Sequence, residues 1–177
     1  QHERLKLNIG CGHIALDDYL NIDRRAIPGV DVIAEADELP FEPNEVDEIF
    51  SAHLLEHFPQ EQLNRNLLPY YYTLLKEGGT FRAVVPDAQA MIEKYAKGEY
   101  AYDDMREVIY GAQDYDGDFH FNMFTPESIK NLLDNAGFSE ITITAEGRPN
   151  GKCYELEVSA SKITKRIENV RQTHTVL

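Results

Sequence analysis

The sequence predicts an α/β protein with a Rossmann-like, mostly parallel sheet of about seven strands and an antiparallel C-terminal pair. Short apolar runs alternate with amphipathic segments, glycine or proline follows several of these runs, and the last two runs lie close together. Strands that alternate with helices form parallel sheets with right-handed crossovers. The length of 177 residues suits one domain, which we place at residues 1–162, followed by a tail at 163–177.

Seven runs are predicted to be strands, because they are apolar, β-branched or alternating and are bounded by turn residues. In chain order they are residues 5–9, 19–22, 30–34, 46–52, 80–85, 141–145 and 153–160. Only ten residues separate Gly12 from Asp23, and about four of these belong to the second strand. The first connecting helix is therefore expected to be short, with one or two turns at most.

Longer helices are predicted between the later strands. Residues 59–75 have leucines and a tyrosine at helical spacing, although Pro69 should kink or divide that helix. Thr125 and Pro126 are a typical N-cap and first helical residue for another helix, which stops at Gly137. Residues 87–123 interrupt the alternation after the fifth strand. We interpret them as a helical insertion (88–97 and 103–110, then a polar loop) at the carboxyl edge, where open α/β sheets bind ligands.

Composition argues against several classes of partner and location. The net charge of −14 repels phosphate backbones, so we expect no nucleic-acid partner. No apolar run approaches the length of a membrane span, and the N-terminus has no signal core. The two cysteines, Cys11 and Cys153, are expected to be reduced thiols, so a cytoplasmic location is predicted.

The first two motifs lie at the ends of the first two strands. Asn8 and Ile9 lead into Gly10-Cys11-Gly12, where glycine lets the backbone turn sharply and approach a ligand. Asp23 ends the next strand, and a carboxylate there can accept both hydroxyls of a ribose. Taken alone, each motif is equally consistent with a plain turn.

Two further motifs follow the third and fourth strands. The acidic stretch Glu35-Ala36-Asp37-Glu38 can accept a hydrogen bond from an adenine amino group, or it can be an acidic surface loop. His53 and His57 are four residues apart, a spacing that is also used for metals. The H-E-x-x-H order is absent and no third ligand is obvious, so no metal site is expected.

In this order, the motifs resemble those of the class I S-adenosylmethionine-dependent methyltransferases. The matching pieces are LNIGCG, NID, ADELPFEPNEVDEIFSAHLLEH, LKEGGTFRAVVPD and LLDNAGF, which run from residue 5 to about 138. The closest resemblance is to a bacterial and phage group of predicted methyltransferases that are often encoded beside glycan-synthesis genes. The segment 111–127, GAQDYDGDFHFNMFTPE, also recurs in that group. The third glycine of the commoner family pattern is missing, and Ile14 stands in its place.

The resemblance implies a role for each matching residue. Gly10, Cys11 and Gly12, led by Asn8, would pass under the methionine part of the cofactor, and Asp23 would hold its ribose. Arg24 would stack along the adenine, and Glu35 or Asp37, on either side of Ala36, would accept its amino group. Ala52 and His53 would face the methyl-bearing sulfur.

These features predict methyl transfer from S-adenosylmethionine to a small-molecule or glycan acceptor. His53 and His120 are the candidate catalytic residues, and His120 is the preferred base or substrate ligand because it lies in the insertion. His57 is interpreted as a packing residue. One alternative is a degenerate module of the same fold that binds cofactor or a partner without catalysis. A nicotinamide dehydrogenase is disfavoured by the incomplete glycine fingerprint. The oligomeric state is not indicated.

Overall fold

The computed structural model describes residues 4–164, which form a seven-stranded sheet in the order β3-β2-β1-β4-β5-β7-β6. The first five strands are parallel, and β7 runs antiparallel to both β5 and β6. The predicted fold class is therefore confirmed. The strands are β1 Lys6–Ile9, β2 Leu20–Asp23, β3 Val32–Ile33, β4 Val46–Ala52, β5 Leu75–Pro86, β6 Ser139–Asn150 and β7 Cys153–Ser161. Most of the predicted tail lies outside the described residues.

The helices connect the strands as follows. A 3₁₀ turn, Leu55–His57, comes directly after β4. The chain then passes through α1 (Gln60–Gln62), a π-helical segment (Leu63–Leu67) and α2 (Leu68–Leu74). This π-helical segment lies just before Pro69, where the sequence predicts that the helix is kinked or divided. Proline has no N–H and cannot donate the usual i to i−4 hydrogen bond, so the regular helix is interrupted there. The remaining helices are α3 Ala88–Ala96, α4 Tyr102–Tyr110 and α5 Pro126–Asn135.

The expectation of a short first helix was wrong: residues 10–19 contain turns and no helix. Two asparagine side chains explain the difference. Asn21 accepts from the Leu16 N–H and donates to the Leu16 carbonyl, while Asn8 donates to the Ile14 carbonyl. Side-chain bonds of this kind take the place of helical backbone bonds. The connection is consequently a compact turn that these two asparagine side chains hold in place.

The core fills the space between the sheet and the helices that follow β4 and β5. Its aromatic centre brings the ring of Phe81 within 5.5 Å of Phe138 and 6.0 Å of the fully buried Tyr71. Helix α5 adds buried apolar residues and is capped by Thr125, whose hydroxyl accepts from the Ser128 N–H, as the sequence predicts. No helix within residues 4–164 is long and apolar enough to cross a membrane.

The sheet topology fixes where a ligand can bind. Strand β1 lies between β2 and β4, so successive connections leave in opposite directions at β1. Ligands of open α/β sheets bind at such a switch point, outside the carboxyl ends of the strands. The insertion starts at this same edge. There Asp87 caps α3 by accepting from the Ala90 N–H and also accepts from the Gly147 N–H.

Candidate functional site

A cavity of about 400 Å³ opens at the carboxyl edge of the parallel strands. This volume falls in the range of roughly 300–1,000 Å³ that small-molecule sites usually have. Residues from the ends of β1 to β4 and from the insertion line it. They are Ile9, Gly10, Asp23, Arg24, Arg25, Ala34, Glu35, Ala36, His53, Leu54, His57, Phe58, Tyr115, Asp116, Gly117 and Phe121.

Six of the predicted site residues line this cavity, namely Gly10, Asp23, Arg24, Glu35, Ala36 and His53. Six others, all in the described part of the chain, lie outside the lining: Asn8, Cys11, Gly12, Asp37, Ala52 and His120. Asn8 is almost fully buried, and its side chain donates to the Ile14 carbonyl and so stabilises the turn. Sequence reasoning missed Arg25, although its place two residues after Asp23 was a signal that could have found it.

The glycine turn after β1 is held by the neighbouring strand. The N–H groups of Gly10 and Cys11 both donate to the Ile22 carbonyl, at 2.8 and 3.0 Å. Gly10 has a φ of 68°, and a Cβ built there would lie 2.8 Å from the Leu54 side chain. Only glycine fits this position without displacing Leu54, and the bare backbone is left to form the cavity wall.

Asp23 is almost fully buried, and its carboxylate already accepts four hydrogen bonds. Oδ2 accepts from the Gly12 N–H at 2.9 Å and from Nη2 of Arg25 at 3.4 Å. Oδ1 accepts from the N–H and from Nε of Arg25, both at 3.0 Å. Burial alone would raise the pKa of Asp23, but the bonds from Arg25 and Gly12 outweigh it and lower the pKa. Since a carboxylate has about four acceptor positions, those of Asp23 are all occupied, three of them by Arg25.

His53 stands at the end of β4 between two carboxylates. Its Nε2 lies 2.8 Å from Oε2 of Glu155, and its Nδ1 lies 3.3 Å from Oε1 of Glu56. Burial alone would lower the pKa of His53, but the two carboxylates outweigh it and raise the pKa to about 9. The imidazole is therefore charged at neutral pH and cannot accept a proton. Its φ of 52° is strained for a residue other than glycine, so the surroundings hold it in place.

The loop of the insertion covers the cavity from the solvent side. The guanidinium of Arg25 lies 5.5 Å from the centre of the Tyr115 ring, a cation–π contact. A Cβ at Gly117 would lie 3.4 Å from Nη1 of Arg24, so the loop backbone passes close to this arginine. Both arginines after β2 thus contact the segment predicted to be the acceptor side of the site.

His120 lies behind this loop, close to His57. The two rings are perpendicular, with centroids 4.7 Å apart. Nδ1 of His120 is 2.6 Å from the Val108 carbonyl and Nδ1 of His57 is 3.1 Å from the Phe119 carbonyl. His57 lines the cavity, whereas His120 packs behind His57 and is not part of the lining. The role of His120 in catalysis stays a prediction.

This combination of a switch-point cavity, a glycine turn and an acidic strand end is the one that the sequence resemblance to methyltransferases implies. A family described as a methyltransferase domain matches residues 15–83, the stretch from just before β2 to near the end of β5. No curated protein sequence matches the chain. The family match begins after the glycine turn and ends before the insertion.

Solved structures agree over nearly the whole chain. A methyltransferase from Thermotoga maritima, a possible histamine N-methyltransferase, has 16% identity and a TM-score of 0.61 over 92% of this chain and 83% of its own. A methyltransferase from Methanosarcina mazei has 18% identity and a TM-score of 0.62, with coverage of 93% and 95%. The 1,6-didemethyltoxoflavin-N1-methyltransferase of Burkholderia thailandensis, with S-adenosylhomocysteine bound, has 16% identity and a TM-score of 0.60, with coverage of 90% and 71%. The chain therefore has the fold of these enzymes.

Proposed function

We propose that the protein transfers a methyl group from S-adenosylmethionine to a small-molecule or glycan acceptor. The observation that carries the proposal is the cavity itself, because four consecutive strand ends and the insertion meet around it. The methyltransferase-domain match and the structural neighbours support S-adenosylmethionine as the cofactor. When bound, this cofactor supplies an electrophilic methyl group on a sulfonium.

The residues of the cavity fit this cofactor. Gly10 lines the cavity without a side chain, so a ligand can approach the bare backbone there. The carboxylate of Asp23 is the group that binds ribose hydroxyls in related folds. Glu35 lines the cavity, whereas Oδ2 of Asp37 accepts from Gln62 at 3.4 Å outside it. We therefore assign the adenine amino group to Glu35 rather than to Asp37.

Arg25 has to move before Asp23 can bind a ribose. All four acceptor positions of the carboxylate are filled, three of them by Arg25. The guanidinium is partly exposed, so it can swing away at modest cost, while the Gly12 N–H keeps the carboxylate oriented. Arg25 also contacts Tyr115, so its movement couples ribose binding to the loop of the insertion.

The acceptor side is formed by aromatic and histidine side chains. Tyr115 and Phe121 line the cavity and are largely exposed, which suits a ring-shaped acceptor that stacks on aromatic faces. Charged His53 adds positive charge to the wall and excludes itself as the base at neutral pH. His120 remains the candidate base or substrate ligand, next to His57. The free thiols of Cys11 and Cys153 agree with the proposed cytoplasmic location.

The first experiment is calorimetric titration with S-adenosylmethionine, S-adenosylhomocysteine and NAD. We expect the two sulfur cofactors to bind and NAD not to bind. Ligand at about 100 times its dissociation constant should stabilise the fold by roughly 2.7 kcal/mol. Transfer of a labelled methyl group to a panel of sugars, nucleotide sugars and small aromatic acceptors then tests turnover. Absence of heat and of thermal stabilisation at millimolar cofactor would refute the proposal.

The second candidate is a module that binds the cofactor without catalysis. It is favoured by one observation, that both ring nitrogens of His53 and all acceptor positions of Asp23 are already engaged within the protein. Tight cofactor binding with no labelled product on any acceptor would favour this function. Transfer to one acceptor, abolished by Asp23→Ala, would exclude it.

A further inference from the structure

Three side chains with metal-binding chemistry converge beside the cavity. Glu56 and His57 come from the 3₁₀ turn after β4, and His120 comes from the insertion. One ligand atom from each of them can be chosen so that all three lie within 4.8 Å of one another. Two parts of the chain that are distant in sequence therefore meet at a single point.

Both histidines are held in the same tautomer. Nδ1 of His57 and Nδ1 of His120 each lie against a backbone carbonyl, those of Phe119 and Val108. A carbonyl oxygen only accepts, so each Nδ1 carries the proton and each Nε2 keeps its lone pair. Metal-binding histidines typically have this arrangement, with one ring nitrogen donating to a carbonyl or carboxylate and the other free for the ion.

Glu56 is fully buried, and neither of its carboxylate oxygens accepts a hydrogen bond from the described residues. His53 forms an ion pair with it at 3.3 Å but is not aligned as a hydrogen-bond donor, so the charge is balanced while both oxygens keep free lone pairs. A buried carboxylate with a nearby counter-charge still needs hydrogen bonds or a metal to satisfy its lone pairs. A cation placed between Glu56 and the two histidines would satisfy it.

We propose that Glu56, His57 and His120 form a binding site for a divalent transition-metal ion, with zinc as the best fit. Two imidazoles and one carboxylate are a known ligand set for zinc sites that keep an open coordination position. Imidazole nitrogen in the set disfavours magnesium and calcium, which prefer oxygen alone. Ligands 2.0–2.1 Å from zinc in a tetrahedron lie about 3.3 Å apart, so small side-chain movements close the site.

This site links the insertion to the sheet. The Phe121 N–H already donates to the Glu56 carbonyl at 2.8 Å, which holds the two segments in place before any ion binds. Since His57 lines the cavity, the open position lies at the cavity wall. It would hold an oxygen atom of the acceptor, a step that rests on the proposed function, whereas metal binding itself does not.

The test is a titration of the chelator-treated protein with Co²⁺, followed by visible absorbance, and then competition with Zn²⁺. We expect one equivalent of Co²⁺ to bind and to show the visible absorption bands of a Co²⁺ ion with a low coordination number. Zn²⁺ should displace it. Zn²⁺ should also raise the melting temperature. His57→Gln and His120→Gln each remove a ligand and should weaken binding by more than the roughly 10–100-fold that loss of an outer-shell partner costs. His13→Gln, which removes an exposed histidine outside the cluster, is the matched control and should change nothing.

Glu56→Gln keeps the test decisive if a histidine variant fails to fold. It keeps the shape of the side chain but removes the charge that pairs with His53, so melting of the metal-free variant is recorded alongside, and Co²⁺ binding should be lost even where the variant stays folded. Absence of Co²⁺ binding to the wild type, or equal binding by the variants, overturns the metal site. Calorimetry of the metal-free protein with S-adenosylhomocysteine separates the two proposals: cofactor binding without metal binding refutes only this site, and metal binding without cofactor binding refutes only the proposed function.

Discussion

The two walls of the cavity are built in different ways. The wall formed by the glycine turn and Asp23 uses neighbouring strands and short connections, and its key groups are buried and bonded to backbone. The opposite wall brings His53 against Glu155 and His57 against Phe119, contacts between residues far apart in sequence. The first wall, which we call the cradle, is preformed by contacts between neighbouring strands. The second wall is assembled only when the insertion and the C-terminal strands dock.

The largest expected effect comes from forcing a methyl group between the glycine turn and Leu54. Gly10→Ala places a Cβ 2.8 Å from the Leu54 side chain at a φ of 68°. Left-handed strain costs about 1–2 kcal/mol and overpacking about 1–3 kcal/mol more. We expect chemical denaturation to show a loss of roughly 2–5 kcal/mol. Cofactor binding should also weaken, because the displaced Leu54 lines the cavity.

Gly151→Ala is the matched control for that substitution. Gly151 has a φ of 58°, but a Cβ there would meet nothing within 4 Å. This variant should lose only the strain, about 1–2 kcal/mol, and bind cofactor normally. Equal losses in the two variants would mean that Leu54 moves aside freely and that the cradle is not tightly packed.

The next effect separates charge from packing on the same wall. Asp23→Asn keeps the shape but removes an ionised acceptor, and a hydrogen bond to a charged group contributes about 1.5–3 kcal/mol. Calorimetry should show affinity for S-adenosylhomocysteine that is lower by roughly 10–100-fold. Asp31→Asn, which alters a carboxylate bonded to the Asn21 N–H away from the cavity, should change melting but not affinity. If the two variants bind equally well, Asp23 has only a structural role.

The contrast between the walls also explains what could be predicted from the sequence. Strand ends, turns and caps leave local signals, so the sheet, the glycine turn and the Thr125 cap could all be predicted. The missing first helix could not, because bonds from Asn8 and Asn21 to backbone depend on strand pairing. The meeting of His57 with His120 and of His53 with Glu155 depends on tertiary docking, which no local pattern encodes.

A smaller effect tests whether Arg25 competes with the cofactor. Arg25→Ala removes two donors from the Asp23 carboxylate and leaves its backbone bonds. A partly exposed ion pair contributes at most about 1 kcal/mol, so affinity for S-adenosylhomocysteine should rise by up to about five-fold. Arg24→Ala should not raise it. Weaker binding by Arg25→Ala would show that Arg25 contacts the ligand directly.

The smallest effect is a pH dependence that belongs to the cradle alone. The folded protein lowers the pKa of Asp23 below its ordinary value of 3.8, because hydrogen bonds from Arg25 and Gly12 outweigh the effect of burial. The unfolded chain therefore binds a proton at a higher pH than the folded one, and the stabilisation by ionised Asp23 is complete only above that ordinary value. It is lost as pH falls through the folded pKa.

We expect the stability difference between wild type and Asp23→Asn, measured by urea unfolding, to be constant from pH 7 to about 5 and to shrink below about 4. His53 belongs to the other wall and titrates far above this window, with a pKa of about 9, so it does not contribute there. A difference that is unchanged down to pH 3.5 would show that the charge of Asp23 does not stabilise the fold and that the carboxylate acts only through its shape.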